Sequence, residues 1–166
     1  MPGALDLTEP KNLFAKLEHE LQVLAADHRN SWAAIDALRD AYHLREWIWN
    51  DRLKHDHTLQ TAIIGAAGSK QGWHAWVNQQ FPDFPIVREL CNGSKHFAPD
   101  TNPKVQATHQ AGYDSPLFAY DSGVLGYDIT GFFVQVDAGR IVSVAHLLES
   151  VRDFWADLFK RFPQLG

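Results

Sequence analysis

Residues 32–53 carry apolar side chains along two edges of what must be a single helix, and that breadth restricts the folds open to the chain. One edge is Ile35, Leu38, Tyr42 and Trp49; the other is Ala34, Ala37, Ala41, Leu44 and Ile48. Residues spaced by three and four share a helix face, so a helix apolar on both edges needs neighbours on two sides. It belongs in the middle of a helical bundle.

The flanking segments supply those neighbours. Thr8, Glu9 and Pro10 form a start signal, and Phe14, Leu17, Leu21 and Leu24 then recur at helical spacing. The run Asp27–Asn30 breaks that helix, and Asn30 or Ser31 caps the next. Between 58 and 80 the pattern predicts two short pieces, capped by Thr58 and Ser69 and weakened by Gly65 and Gly68. A helix over 84–97 follows, capped by Asp83 and ended by Ala98 and Pro99.

Beyond Pro99 the period changes from 3.6 to 2. Segments 104–110, 117–121 and 129–137 carry β-branched and aromatic residues between turn residues. Phe132, Val134 and Val136 alternate with Phe133, Gln135 and Asp137, as in a half-buried strand. Asp137 to Arg140 reads as a hairpin turn into a strand at 140–142. Ser143 then caps a closing helix, 144–161, with a wide apolar stripe through Leu147, Leu148, Val151, Trp155 and Leu158. The expected fold is mainly α: four or five helices, with a small antiparallel β-sheet inserted before the last. The whole of 1–166 reads as one domain, helical over 10–97, with the β insertion at 104–142.

Composition narrows the function classes. Apolar residues make up 45% of the chain, with six Trp and ten Phe, so it can build a substantial core. A net charge of −5 argues against broad attraction to nucleic acid, leaving only a local patch to do such binding. A lone Cys91 rules out an internal disulfide framework and fits a reducing compartment. No apolar leader-like or membrane-length run occurs, so the expectation is a cytoplasmic protein without membrane contact. Gly-rich phosphate loops, nucleophile elbows and dinucleotide fingerprints are missing too, so no cofactor is expected.

The chemistry concentrates in Phe81–Phe97, FPDFPIVRELCNGSKHF. Arg88, Asn92, Lys95 and His96 fall at i, i+4, i+7 and i+8 on one helix face, while Val87, Leu90 and Phe97 point away. Two permanent cations, an amide and a group titrating near neutrality suit a phosphate-handling site. They also suit a solvated helix face.

The pieces AYHLREWIW (41–49), RELCNGSKHF (88–97) and DAGRIVSVAHLLESVRDFWADLF (137–159) resemble a set of small bacterial proteins that pair an HLREW helix with an NGSKH-type helix. The helical part resembles the HEPN domains, nucleotide-binding four- or five-helix bundles common in toxins and phage-defence systems. That resemblance implies a homodimer that binds a partner or an RNA or nucleotide-like ligand. Catalytic HEPN members are metal-independent ribonucleases with an Arg and a His separated by four to six residues. Here seven residues separate Arg88 from His96, and Glu89 stands where a polar residue such as Asn is usual. The resemblance therefore implies binding at the Arg88–His96 helix, with Asn92, Lys95 and His43 as ligand-binding residues. The alternative is catalysis through Arg88 and His96, with no metal.

Two further groups have polar spacing. Asp36, Asp40 and His43, at i, i+4 and i+7, share a face with Arg39, Glu46 and Asn50; that stripe reads as a solvated, salt-bridged surface more readily than as metal ligands. His55 and His57 flank Asp56 where the long helix ends, and read as surface residues near its last carbonyls. Cys91 reads as an inert core thiol, and the tryptophans as core rather than ligand-stacking groups.

Overall fold

The computed structural model describes residues 7–66, 68–93, 104–111, 131–136 and 139–166. Six α-helices and one three-stranded sheet lie within them: α1 (Pro10–Ala26), α2 (Ser31–Trp47), α3 (His57–Ile64), α4 (Lys70–Gln80), α5 (Phe84–Gly93), β1 (Ala107–Ala111), β2 (Gly131–Gln135), β3 (Ile141–Ser143) and α6 (Val144–Arg161). The expectation of a mainly helical fold with a small antiparallel sheet before the last helix holds. The described helices number six rather than four or five, because residues 57–80 form two complete helices.

Helix α2 is the central element, with α1, α5 and α6 packed against it. Its start is cut by Asn30, whose side chain accepts the Ala33 N–H at 3.1 Å. Its end widens into a π-helical turn, Ile48–Leu53, closed by the Lys54 N–H on the Trp49 carbonyl at 2.7 Å. Both apolar edges are used: Ala34, Ala37, Leu38, Ala41, Leu44, Ile48 and Trp49 are all buried. Helix α6 crosses α2 with Trp155 fully buried, and its indole N–H donates to the Ala41 carbonyl at 3.1 Å.

One start differs from expectation. Asp56, not Thr58, caps α3, accepting the Leu59 N–H at 2.8 Å, so the helix begins one residue before Thr58. Gly65 then stops α3 in the left-handed region, at φ 80°, which glycine adopts without a steric penalty. Ser69 caps α4 as expected.

The sheet runs β1–β2–β3, antiparallel throughout, with His109 opposite Phe133 and Val134 opposite Val142. Alternation along β2 is less clean than the sequence suggests. Val134 and Val136 are buried as expected, but so is Phe133 on the opposite face, because both sides of the strand are covered. Ser143 both ends β3 and caps α6, accepting the His146 N–H at 3.3 Å. The expected strand at 117–121, the end of the motif helix beyond Gly93 and the tip of the hairpin turn lie outside the described residues. No helix among the described residues is long and apolar enough to cross a membrane.

Candidate functional site

Helix α5 begins after the turn at Phe81–Asp83, with Pro85 in its first turn, where a missing N–H is harmless. The Asp83 carbonyl accepts the Ile86 N–H at 2.9 Å. The Asp83 carboxylate, expected as the cap, takes both Nη atoms of Arg140 at 2.8 and 3.2 Å, tying α5 to the hairpin. Phe84, Ile86, Val87 and Cys91 are buried, so α5 is held by one face and presents the other.

Arg88 lies on that presented face, with 44% of its side chain exposed. Asn92, one turn on, is half-buried. Lys95 and His96 lie outside the described residues. His43 is half-buried on α2, its ring edge-on to Tyr42 at 5.2 Å. Glu89 divides its carboxylate: its Oε2 accepts the Val105 N–H at 2.8 Å, and its Oε1 makes a long ion pair, 3.9 Å, with Arg88 Nη2. The carboxylate after the arginine therefore anchors the chain entering the sheet.

Arg45, on α2, escapes the sequence reading. Its side chain is buried, the residue only 4% exposed, with the guanidinium over the rings of Tyr42 at 5.1 Å and Phe84 at 5.0 Å. The two rings stack on each other at 6.3 Å. Phe84 and Arg88 are one turn apart on α5, and the charge of Arg88 is felt at Arg45. Burial pushes the Arg45 pKa down and Arg88 adds to the fall, while Glu46 and a hydrogen bond with Tyr42 oppose it. A signal was available: Arg45 falls at i+7 from Leu38, i+4 from Ala41 and i+3 from Tyr42, in the middle of an apolar stripe.

Glu46 collects three basic side chains. His74 Nε2 of α4 lies 2.8 Å from its Oε1, Lys70 Nζ contacts its Oε2, and Arg45 Nη2 lies 3.5 Å away. Burial alone would raise the Glu46 carboxyl, but Lys70, His74 and Arg45 outweigh it and hold it below the usual carboxylate range. Burial and the positive charge of Arg45 lower the His74 pKa, favouring a neutral imidazole. The cluster joins α2 and α4, and Arg45 extends it to the Phe84 ring of α5.

The second polar stripe does not stay together as a solvated face. Asp40 turns into the α1–α2 contact and meets Lys16 at 2.7 Å, while Asp36 pairs with Arg39 at 3.5 Å. Among the described residues no group of three His, Cys, Asp or Glu is placed to hold a metal ion. Asp56 caps α3, and His57 Nδ1 lies 3.4 Å from Gln60 Oε1. Cys91 is fully buried, and Trp73 and Trp76 stack at 5.3 Å, with Trp73 fully buried. No family model matches the chain, and no curated protein or solved structure shows significant similarity to it.

Proposed function

We propose that this is a HEPN-like helical protein that binds RNA or a nucleotide-like ligand through the presented face of α5, with Arg88 as its leading contact. One observation carries the reading: Arg88 is an exposed cation whose ion pair with Glu89 is long, 3.9 Å, while the other oxygen of that carboxylate accepts the Val105 N–H. A guanidinium held by one long ion pair keeps most of its fork of donors for a phosphate. Asn92 extends the same face by one turn. Lys95 and His96 follow in sequence and add a cation and a proton carrier to the proposal. The acidic balance of the whole chain confines such binding to a patch like this one.

Fluorescence anisotropy with a labelled single-stranded RNA tests it. Arg88→Ala should weaken binding about tenfold or more and reduce the salt slope by about one, as loss of a single phosphate contact does. Equal affinity of the wild type and Arg88→Ala would reject the reading.

A further inference from the structure

Helix α4 packs on α3 and α5, and its polar hold on α2 is a small set of side chains. The Trp73 indole N–H donates to the Arg45 carbonyl at 2.9 Å, and Lys70 and His74, one turn apart, both meet the Glu46 carboxylate. His74 Nε2 lies 2.8 Å from Glu46 Oε1, the same oxygen that has Arg45 Nη2 at 3.5 Å. The Glu46 and His74 side chains are 20% and 27% exposed, so water screens these charges only in part.

The charges around Glu46 do not balance. Arg45 and Lys70 already set two positive charges against its single negative one. A neutral His74 can lie against Glu46 without changing that count, whereas a protonated His74 adds a third cation to one shared carboxylate. The charged groups that act on His74 most strongly are Arg45 and Glu46 of α2 and Lys70 of its own helix. From α5, Arg88 adds positive charge at Arg45, while Glu89 is divided between Arg88 and the Val105 N–H. On α3, His57 is engaged with Gln60 Oε1 at 3.4 Å. Helix α6 meets α4 through rings, Trp155 against Trp73 and Phe154 against Trp76.

We infer that His74 is a proton-sensitive latch between α4 and α2: neutral, it lets α4 close on Glu46, and protonated, it repels Arg45 and Lys70 and loosens α4. Release uncovers Trp73 and Val77, both fully buried while α4 is seated. Burial and the Arg45 charge act in the same direction, lowering the His74 pKa. A histidine whose pKa falls on folding contributes stability that is complete above about pH 6.5 and is lost as pH drops toward the folded value. Glu46 keeps its charge through that window, because its carboxyl is held below the usual range. Asp40 works in the opposite direction near pH 6, so overall stability masks the latch and a local measurement is needed. Nothing in the latch depends on a ligand at the α5 face.

Hydrogen exchange of the tryptophan indole N–H groups in the full chain, followed by NMR, tests it. Trp73 reports the α2–α4 contact, and Trp155, bonded to the Ala41 carbonyl, reports the α2–α6 contact. After correction for intrinsic exchange, Trp73 protection should fall about threefold or more relative to Trp155 between about pH 7.5 and about pH 5.5. His74→Gln keeps a polar side chain that does not titrate, so the ratio should then stay constant with pH. A wild-type ratio that is flat, or that rises on acidification, overturns the latch. The same fall in folded His74→Gln also overturns it. If His74→Gln does not fold, the wild-type imidazole is titrated by NMR instead. It should titrate below the ordinary 6.5, and a His74 pKa at or above that value overturns the latch.

Discussion

Lys16 of α1 and Asp40 of α2 meet at 2.7 Å, and the carboxylate of this pair is nearly removed from water. Burial pushes the Asp40 pKa up, Lys16 pulls it down, and Glu20 and Asp36 add to the rise, leaving it at about 6 against an ordinary 3.8. A carboxyl whose pKa is raised on folding binds its proton more tightly in the native state. Its stabilising contribution is complete below about pH 3.8 and is lost as pH rises through about 6. The folded pKa of Lys16 is also raised, so its contribution persists until far above this window. Comparing the wild type with Asp40→Asn isolates the Asp40 effect. Urea denaturation should show the wild type losing about 2–3 kcal/mol relative to Asp40→Asn between pH 4 and pH 7. Parallel pH profiles for the two proteins would contradict it.

Trp155 provides the main check on the architecture. It is fully buried, edge-on to Phe84 at 6.0 Å, and bonded to the Ala41 carbonyl across the α2–α6 contact. Trp155→Phe removes the bond and leaves unfilled volume, which together should cost about 2–4 kcal/mol. Trp32, 80% exposed on the first turn of α2, is the matched control. Trp32→Ala should stay within about 0.5 kcal/mol of the wild type. Equal effects of the two substitutions on the urea midpoint would mean that α6 does not pack on α2 as described.

The parts that the sequence makes legible are those governed by periodicity and by Pro, Gly and cap residues. The broad apolar surface of α2, the Asn30 and Ser69 caps and the Ser143 start of α6 follow from local rules. The capping choice at α3 does not, since Asp56 and Thr58 are both good caps and only tertiary packing separates them. The burial of Phe133 is hidden for a related reason: alternation predicts one covered face, and this strand has two. Arg45 is hidden more deeply. Charge normally marks a surface position, so an arginine inside an apolar stripe looks like an interruption until Tyr42 and Phe84 are seen beneath it. The burial of Asp40 is hidden for the same reason, although its ion pair is the salt-bridged outcome expected of that stripe, because its partner Lys16 is on another helix.

A homodimer is an expectation of the HEPN resemblance alone, because the core absorbs most of the aromatic side chains that could otherwise line an interface. Trp73, Phe84 and Trp155 are fully buried, and Trp32 is the exposed large apolar side chain among the described residues. Pairing through a helical face should give twice the chain mass of 18.8 kDa by light scattering at micromolar concentration. Observation of the single-chain mass alone would remove the dimer, and with it any site assembled across a two-fold axis.

The ribonuclease alternative makes the sharper demand on Arg88 and His96. If the α5 face cleaves RNA, His96 moves a proton to or from the ribose 2′-hydroxyl or the leaving oxygen, while Arg88 stabilises charge on the phosphate. Cleavage should then persist in EDTA and follow a pH profile set by an imidazole, near ~6.5 before its surroundings act on it. His96→Ala should abolish it, and Arg88→Ala should lower kcat by about a hundredfold or more, the scale expected for one oxyanion donor. RNA binding should survive His96→Ala, because the proton carrier is not the main phosphate ligand. Wild-type protein that binds labelled RNA but leaves it intact after prolonged incubation would exclude the catalytic form and leave the binding form standing. Loss of both binding and cleavage on Arg88→Ala, with loss of cleavage alone on His96→Ala, would establish the two roles separately.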